Sequence, residues 1–193
     1  MPPIVLASTS TYRRELLQRL RLPFTVQAPR IAEHALAGEA PRATALRLAL
    51  AKARDIAAER PEAIVIGSDQ VADVDGEALS KPGTHDAALA QLTRMQGREV
   101  VFHTALAVID PRGGHHLDDV PTAVRFRVLP ATQLDAYLRA EQPYDCAGAA
   151  KIESLGITLL ESVRSDDPTA LIGLPLIRLT SMLAACGVPL PAP

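Results

Sequence analysis

The sequence is poor in aromatic residues and in cysteine. Its 193 residues include three phenylalanines, three tyrosines, no tryptophan and two cysteines. Cys146 and Cys186 lie in no paired motif, and neither has a nearby histidine pattern that would indicate an activated thiol nucleophile. This cysteine usage is typical of a protein in a reducing cytoplasm.

Long apolar runs and basic runs are also missing. No stretch reaches the length of a membrane span and no secretory signal is visible, so the sequence predicts a cytoplasmic protein without a membrane partner. The formal net charge of -2, without a basic run, argues against binding of a nucleic-acid backbone. A nucleotide needs only a local cationic pocket and is not excluded. Neither the phosphate-loop lysine motif nor the dinucleotide glycine fingerprint is present.

The chain is organised around residues 63–71, which read Ala-Ile-Val-Ile-Gly-Ser-Asp-Gln-Val. A short apolar run that ends in small residues predicts a buried, central strand. Ligands of open α/β sheets bind at the carboxyl ends of such strands, so Asp69 is predicted at the mouth of a site. Asp is also common in strand-end turns, and this stretch alone leaves both interpretations open.

A strand, a hydroxyl-rich turn and a helix follow each other at the start of the chain. The apolar run 4–7 precedes Ser8-Thr9-Ser10-Thr11, after which leucines recur at helical spacing. The hydroxyls would cap the helix, or they would bind an anion together with the free backbone N–H groups at the start of the helix. Arg13 and Arg14 in the first turn oppose the helix dipole, a cost that a bound phosphate would offset.

The remaining segments alternate between strand and helix patterns and predict a mixed sheet. A helix is expected from Pro41 to about Arg60, with Leu46, Ala49, Leu50, Ala53 and Ile56 on one face and Lys52 off that stripe. Predicted strands are 22–27, 63–74, 100–109, 116–126 and 157–160, and predicted helices 84–97, 131–141 and 174–186. The expected fold class is α/β: a mixed twisted sheet flanked by helices, with a cleft between two lobes, in one domain of residues 1–193.

The polar residues outside these patterns form a chemically consistent set. Ser8, Arg13, Lys52 and Lys81 are donors or cations, and Glu33 and Asp69 are carboxylates. Cations bind phosphate oxygens, and paired carboxylates bind a hard divalent cation that neutralises phosphate charge. Each residue also has a plainer interpretation as a helix cap or solvated side chain, and spacing alone does not bring them together.

Five segments in the first half of the chain, and their order, strongly resemble the Maf-like nucleotide pyrophosphatases. They are Leu6-Ala7-Ser8-Thr9-Ser10, Arg13-Arg14, Leu48-Ala49 with Lys52-Ala53, Gly67-Ser68-Asp69-Gln70-Val71, and Lys81-Pro82. Later segments fit too: Cys146-Ala147-Gly148, Gly156-Ile157-Thr158-Leu159 and Gly173-Leu174-Pro175-Leu176. The resemblance covers almost the whole chain. It implies a Maf/inosine-triphosphatase-like fold, a cytoplasmic location, a homodimer, and hydrolysis of a nucleoside triphosphate to monophosphate and pyrophosphate with a divalent metal, Mg²⁺ or Mn²⁺.

The resemblance also implies roles for individual residues. Asp69 matches the proton acceptor, and Ser8, Arg13, Lys52 and Lys81 match phosphate-binding positions. Glu33 and Asp69 match metal-binding carboxylates. The segment Arg30-Ile31-Ala32-Glu33 departs from the family pattern because it keeps the final glutamate but loses the acidic residues usual before it.

Three further positions, Tyr12, Gln70 and Glu153, resemble the specificity sites of the subfamily that acts on 7-methyl-GTP. Methylation at N7 makes guanine cationic, which suits an aromatic face and a carboxylate. Ser154 departs from the glycine that commonly follows the glutamate. The alternatives are a dTTP or UTP pyrophosphatase of the same family, or a nucleotide-binding cell-division regulator with little catalysis.

Overall fold

A mixed sheet of seven strands runs through the computed structural model, which describes residues 2–191. The strands are β1 (Ile4–Ala7), β2 (Thr25–Gln27), β3 (Ile64–Val74), β4 (Glu77–Leu79), β5 (Glu99–Ile109), β6 (His115–Phe126) and β7 (Leu160–Arg164). The helices are α1 (Thr11–Gln18), α2 (Pro41–Glu59), α3 (His85–Met95), α4 (Ala131–Glu141) and α5 (Leu176–Ala185). The strand order is β2-β1-β3-β5-β6-β7, with β4 paired to β3. β1 is parallel to both of its neighbours, and all other pairs are antiparallel.

The long strands β3 and β5 carry two apolar cores on one face of the sheet. Ile64 and Ile66 belong to a first core with α1 and α5, whereas Ala72 and Val74 belong to a second core with α3 and α4. Because side chains alternate along a strand, Ser68 and Gln70 fall on the same face between these cores. This polar gap in the apolar face separates the two cores and so the two lobes built on them.

Helix α2 covers the opposite face of the sheet and lies unusually close to β3. A Cβ atom added at Gly67 would lie 2.3 Å from the carbonyl oxygen of Ala49 and 2.8 Å from the amide nitrogen of Ala53. Glycine therefore allows backbone-to-backbone contact between strand and helix. The contact places Lys52, one position before Ala53, beside the strand that carries Asp69.

Most predicted elements are confirmed. Asp75-Gly76 makes the β3–β4 turn with φ angles of 55° and 85°, and Thr84 caps α3 by accepting from the amide of Ala87. Strand 22–27 is shorter than predicted, and the last strand lies later, at β7, because residues 155–159 form a 3₁₀ helix that leaves Ile157 exposed. The apolar run at 157–160 did not identify the strand, because an edge strand such as β7 needs little apolar character.

One prediction about α2 is wrong. The expected apolar stripe excluded Lys52, but Lys52 is buried on the face that also buries Ala45, Leu48 and Ala49. Leu46 and Leu50 are only partly buried. Ala49, Ala53 and Ile56 are buried as predicted, and the error at Leu46, Leu50 and Lys52 arises because the helix packs through alanines on a glycine, where small residues bring the backbones together.

Among the helices in residues 2–191, none combines the length and the apolar character needed to cross a membrane.

Candidate active site

A cleft of about 390 Å³ opens between the two lobes, at the carboxyl end of β1 and beside the middle of β3. All nine residues that the sequence singled out line it: Ser8, Tyr12, Arg13, Glu33, Lys52, Asp69, Gln70, Lys81 and Glu153. Asp145 and Cys146 line it as well. Three cations and four carboxylates therefore share one small space, which suits a ligand with separate regions of negative and positive charge.

The turn between β1 and α1 is held by its own hydroxyls. Ser8 is buried, and its Oγ accepts from the amide of Ser10 at 3.1 Å. Ser10 caps α1 by accepting from the amide of Arg13. The first turn of α1 carries no acidic side chain, so the positive end of its dipole faces the cleft without a negative partner from that turn. Such a turn is suited to a phosphate group.

A short segment, Ala170–Gly173, closes the polar gap between the two cores; we refer to it as the strap. Gln70 Nε2 donates to the carbonyls of Ala170 and Leu171 at 3.1 and 3.0 Å, and Thr104 donates to that of Ala170 at 2.9 Å. The carbonyl of Gly173 accepts from Ser68 Oγ and from Arg13 Nε, both at 2.9 Å. The strap therefore fixes Arg13 and the amide of Gln70, whose nitrogen also donates to Thr104.

Asp69, Lys52 and Glu33 form the charged centre of the cleft. Lys52 Nζ lies 2.7 Å from Asp69 Oδ1 and 3.0 Å from Glu33 Oε2. Lys52 and Asp69 are buried, whereas the side chain of Glu33 is 44% exposed. Arg13 lies near this group: burial lowers the pKa of its guanidinium, and the negative charges of Asp69 and Glu33 oppose that effect. We refer to these four residues as the Asp69 cluster.

A second group at the cleft, the Tyr12 cluster, contains Tyr12, Cys146, Lys151 and Glu153. Lys151 Nζ lies 5.8 Å from the centre of the Tyr12 ring. Partial burial raises the pKa of Glu153, and burial raises the pKa of the Cys146 thiol to about 12, so the thiol is neutral at physiological pH. An aromatic ring and a carboxylate at one site are suited to a cationic ring system.

The loop that carries Glu153 is fastened to the end of α4. Glu141 Oε2 accepts from Ser154 Oγ at 2.8 Å and lies 3.4 Å from Lys151 Nζ, while its Oε1 accepts from the amide of Leu155 at 3.1 Å. These hydrogen bonds, first that of Ser154, lower the pKa of Glu141. Ser154, where the family resemblance implies a glycine, adds a bond from its hydroxyl to Glu141.

Lys81 reaches the cleft from the segment between β4 and α3. Its side chain is exposed, and the segment is held by bonds on both sides of it: Gln91 donates to the carbonyl of Ser80, and the amide of Gly83 donates to the carbonyl of Tyr144. The backbone around Lys81 is thus fixed while its ammonium stays free to follow a ligand.

The carboxylates of Glu33 and Asp69 fit a divalent cation. One oxygen from each contacts the same ammonium, so the two oxygens converge on a single point. Hard cations such as Mg²⁺ prefer carboxylate oxygens and keep several water or phosphate ligands. Within residues 2–191, no group of three or more His, Cys, Asp and Glu side chains is arranged for a metal. The two carboxylates would therefore need phosphate or water oxygens as further ligands.

Sequence reasoning missed the strap and Asp145. The strap acts through main-chain carbonyls, which leave no side-chain signature. Asp167, which is buried, holds the chain on both sides of the strap by accepting from the amides of Thr169 and Ile177 at 2.9 and 2.7 Å. Asp145 had one available signal, its position just before the small-residue segment that begins at Ala147.

Comparison with known families matches residues 3–186 to the Maf-like protein family. The chain belongs to this family. The Maf-like match spans β1 to the end of α5 and includes every residue of both clusters.

Several Maf-like relatives are more than half identical to this chain. A protein named 7-methyl-GTP pyrophosphatase from Burkholderia thailandensis is 61% identical over 98% of this chain and 90% of its own length. One of the same name from Burkholderia pseudomallei is 61% identical over 100% of this chain and 93% of its own length. One of the same name from Cupriavidus metallidurans is 59% identical over 97% of this chain and 95% of its length. A solved structure of a nucleoside-triphosphatase / dITP/XTP pyrophosphatase from Mycobacterium abscessus is 19% identical, with a TM-score of 0.42 over 64% of this chain and 72% of its own, too little to bear on function.

Proposed function

We propose that the protein is a nucleoside triphosphate pyrophosphatase that prefers 7-methyl-GTP and releases the monophosphate and pyrophosphate. The observation that carries this proposal is the juxtaposition of the Asp69 cluster and the Tyr12 cluster in one cleft. It is supported by relatives about 60% identical that are named for this reaction.

The Asp69 cluster supplies the groups that the hydrolysis needs. A water molecule attacks the α-phosphorus, its proton passes to the Asp69 carboxylate, and the bond from the α-phosphorus to the α,β-bridging oxygen breaks, so that pyrophosphate leaves with that oxygen. Arg13, Lys52 and Lys81 bind the phosphate oxygens, with Ser8 shaping the turn at the start of α1. Glu33 and Asp69 would hold Mg²⁺ or Mn²⁺, which when bound would neutralise charge on the phosphates.

The Tyr12 cluster supplies the base preference. A cation near an aromatic face gains about 0.5–2 kcal/mol, and only a methylated guanine is cationic at neutral pH. Glu153 accepts from the N1 and N2 hydrogens of guanine and also attracts its positive charge. Because the Gln70 nitrogen already donates to the strap and to Thr104, Gln70 has its carbonyl oxygen left for the base.

A nucleotide panel with Mg²⁺ or Mn²⁺ tests the reaction, the bond and the base together. We expect pyrophosphate as the product and a higher kcat/KM for 7-methyl-GTP than for GTP, dTTP or UTP. Release of orthophosphate would refute the proposed bond. Preference for dTTP or UTP would refute the base assignment and leave the pyrophosphatase standing. Light scattering tests the homodimer implied by the family resemblance.

A further inference from the structure

The ammonium of Lys52 lies between the two carboxylates that the proposed metal site requires. Its Nζ donates a charge-assisted hydrogen bond to Asp69 at 2.7 Å and forms an ion pair with Glu33 at 3.0 Å. The lysine side chain is only 4% exposed and that of Asp69 10%. A buried charge is tolerated when it is paired, and here one ammonium pairs with both carboxylates.

A divalent cation bound by both carboxylates would need the space that Lys52 Nζ takes. Mg²⁺ binds carboxylate oxygens at about 2.0–2.1 Å, which is shorter than either ammonium contact. Two positive charges so close together in a water-poor pocket repel each other strongly. The carboxylates can therefore hold the lysine or the metal, and a metal that enters requires Lys52 to find another anionic partner.

A nucleotide supplies such a partner in the same cleft. Lys52 lines the cleft together with Ser8, Arg13 and Lys81, the residues assigned to phosphate. An ammonium that leaves the carboxylates can pass to a phosphate oxygen without becoming unpaired. The metal would then take the two carboxylates while Lys52 takes a phosphate oxygen. Neither of these binding events would be favourable without the other.

We propose that Lys52 is a placeholder cation that keeps divalent metal out of the Glu33–Asp69 site until a nucleotide arrives. The inference rests on the proposed function for the existence of that metal site and adds an order of binding to it. Metal alone binds weakly, and metal with a triphosphate binds tightly because Lys52 moves to the phosphate.

The loop that carries Glu33 is anchored independently of Lys52. The amide of Arg30 donates to Asp55 at 2.7 Å, and Arg47 donates to the carbonyl of His34 at 2.9 Å, both partners on α2. Removing the lysine charge should therefore leave Glu33 near Asp69. This makes a variant at Lys52 informative about metal binding.

Mn²⁺ binding followed by electron paramagnetic resonance tests the proposal without turnover. For nucleotide-free protein we expect Lys52→Met to bind Mn²⁺ at least tenfold more tightly than the wild type. Lys81→Met is the matched control, because among residues 2–191 no ion pair joins Lys81 to either carboxylate, and it should not change that affinity. Adding Asp69→Asn to Lys52→Met should abolish the gain.

The wild type gives a second measurement that needs no variant. With a 7-methyl-GTP analogue that has a methylene bridge in place of the α,β-oxygen, its Mn²⁺ affinity should rise at least tenfold. Equal Mn²⁺ affinity with and without the analogue, or equal affinity of folded Lys52→Met and wild type without it, overturns the placeholder role. Lys52→Gln replaces the methionine variant if circular dichroism shows that variant to be unfolded.

Failure of the proposed function gives a different result. If Mn²⁺ binds neither the wild type with the analogue nor any Lys52 variant, the metal site itself is wrong and the placeholder role falls with it. If Mn²⁺ binds tightly to the nucleotide-free wild type, the metal site stands and only the placeholder role is refuted.

Discussion

At the scale of a single residue, the two carboxylate oxygens of Asp69 have different roles in the proposed reaction. In this structure its Oδ1 accepts from Lys52, and in the proposed complex the metal replaces that lysine, so Oδ2 is left in both cases to take a proton from water. We expect Asp69→Asn to lower kcat by at least about 100-fold, because general-base catalysis contributes about 10²–10⁴-fold. Asp73→Asn, the same change four residues later on β3 and outside the cleft, is the control and should stay within a few-fold of the wild type. Near wild-type turnover of Asp69→Asn would remove Asp69 from the mechanism.

In the proposed function Glu153 recognises the base through its charge, so we expect the base preference to depend on pH. Partial burial raises the pKa of Glu153, and the carboxylate is therefore protonated at a higher pH than an ordinary glutamate. We expect Glu153→Gln to reduce the kcat/KM ratio of 7-methyl-GTP to GTP by about tenfold, a loss of about 1.4 kcal/mol. In the wild type the same ratio should fall as pH drops through the raised pKa, and in the variant it should not.

The exposed Glu161 on β7 lies outside the cleft and gives the matched control. Glu161→Gln should keep both the substrate ratio and its dependence on pH. A Glu153→Gln variant that keeps the wild-type ratio at neutral pH would show that Glu153 does not read the base.

At the scale of elements, the contact of α2 with β3 positions the Lys52–Asp69 pair. We expect Gly67→Ala to push the helix away from the strand, since the new Cβ would lie 2.3 Å from the carbonyl oxygen of Ala49. Overpacking of this kind costs about 1–3 kcal/mol. Urea unfolding should show that loss, and turnover should fall with it because the shifted helix carries Lys52 away from the cleft.

Gly114→Ala is the control for Gly67→Ala. A Cβ atom there would find its nearest neighbour, Asp110 Cβ, at 3.7 Å, an ordinary contact. The control should change neither stability nor turnover by much. Unchanged turnover in a destabilised Gly67→Ala variant would mean that the cleft does not depend on this helix contact.

His103 links three strands on the sheet face covered by α2. Its Nδ1 lies 2.7 Å from Asp119 Oδ2 on β6 and its Nε2 lies 3.6 Å from Asp73 Oδ2 on β3, while Arg42 on α2 also binds Asp119. The hydrogen bond to Asp119 raises the pKa of His103. The stability this gives is fully present below the unfolded histidine pKa of about 6.5 and is lost as pH rises through the raised folded value.

His103→Gln should therefore cost most at low pH. We expect a loss of about 1.5–3 kcal/mol in urea unfolding near pH 6, the range for hydrogen bonds to charged groups, and a smaller loss at pH 9. His34→Gln, in the exposed loop before α2, serves as the control. A cost of His103→Gln that does not change between pH 6 and pH 9 would contradict the charged pair.

Across the whole molecule, the proposed substrate would contact both lobes. In the proposed complex the cations of the Asp69 cluster would hold the phosphates, and the Tyr12 cluster joins α1 of the first lobe to the Glu153 loop of the second. A ligand at 100 times its Kd stabilises the folded state by about 2.7 kcal/mol, which raises Tm by about 5–10 °C in a chain of this size. We expect the methylene analogue with Mg²⁺ to give this shift and to slow amide exchange in both 8–13 and 145–153. Slower amide exchange in only one of these two segments would mean that the nucleotide contacts only one lobe.

How much of the site can be predicted from the sequence depends on whether side chains or main-chain groups form it. Charged side chains with apolar surroundings, such as Asp69 and Lys52, can be recognised from residue type and family resemblance, and the structure brings all of them to one cleft. Burial of Lys52 could not be predicted from the α2 stripe, because it depends on Gly67 in another element. The edge strand β7 was missed because its exposed residues show no apolar period. The strap was missed because its main-chain acceptors leave no side-chain pattern.

The strap has a consequence for how this protein responds to mutagenesis. The five hydrogen bonds that it accepts from Ser68, Gln70, Thr104 and Arg13 end on the carbonyl oxygens of Ala170, Leu171 and Gly173, which every amino acid possesses. An alanine scan of the strap can truncate only Leu171 and Ile172, because position 170 is already alanine and Gly173 has a φ of 119° that strains any added side chain. Losses in that scan would report apolar packing or backbone strain, while the carbonyl oxygens stay in place. Alanine substitutions at the four donors would remove the hydrogen bonds themselves, and such data would assign to four separate side chains what one stretch of backbone holds together.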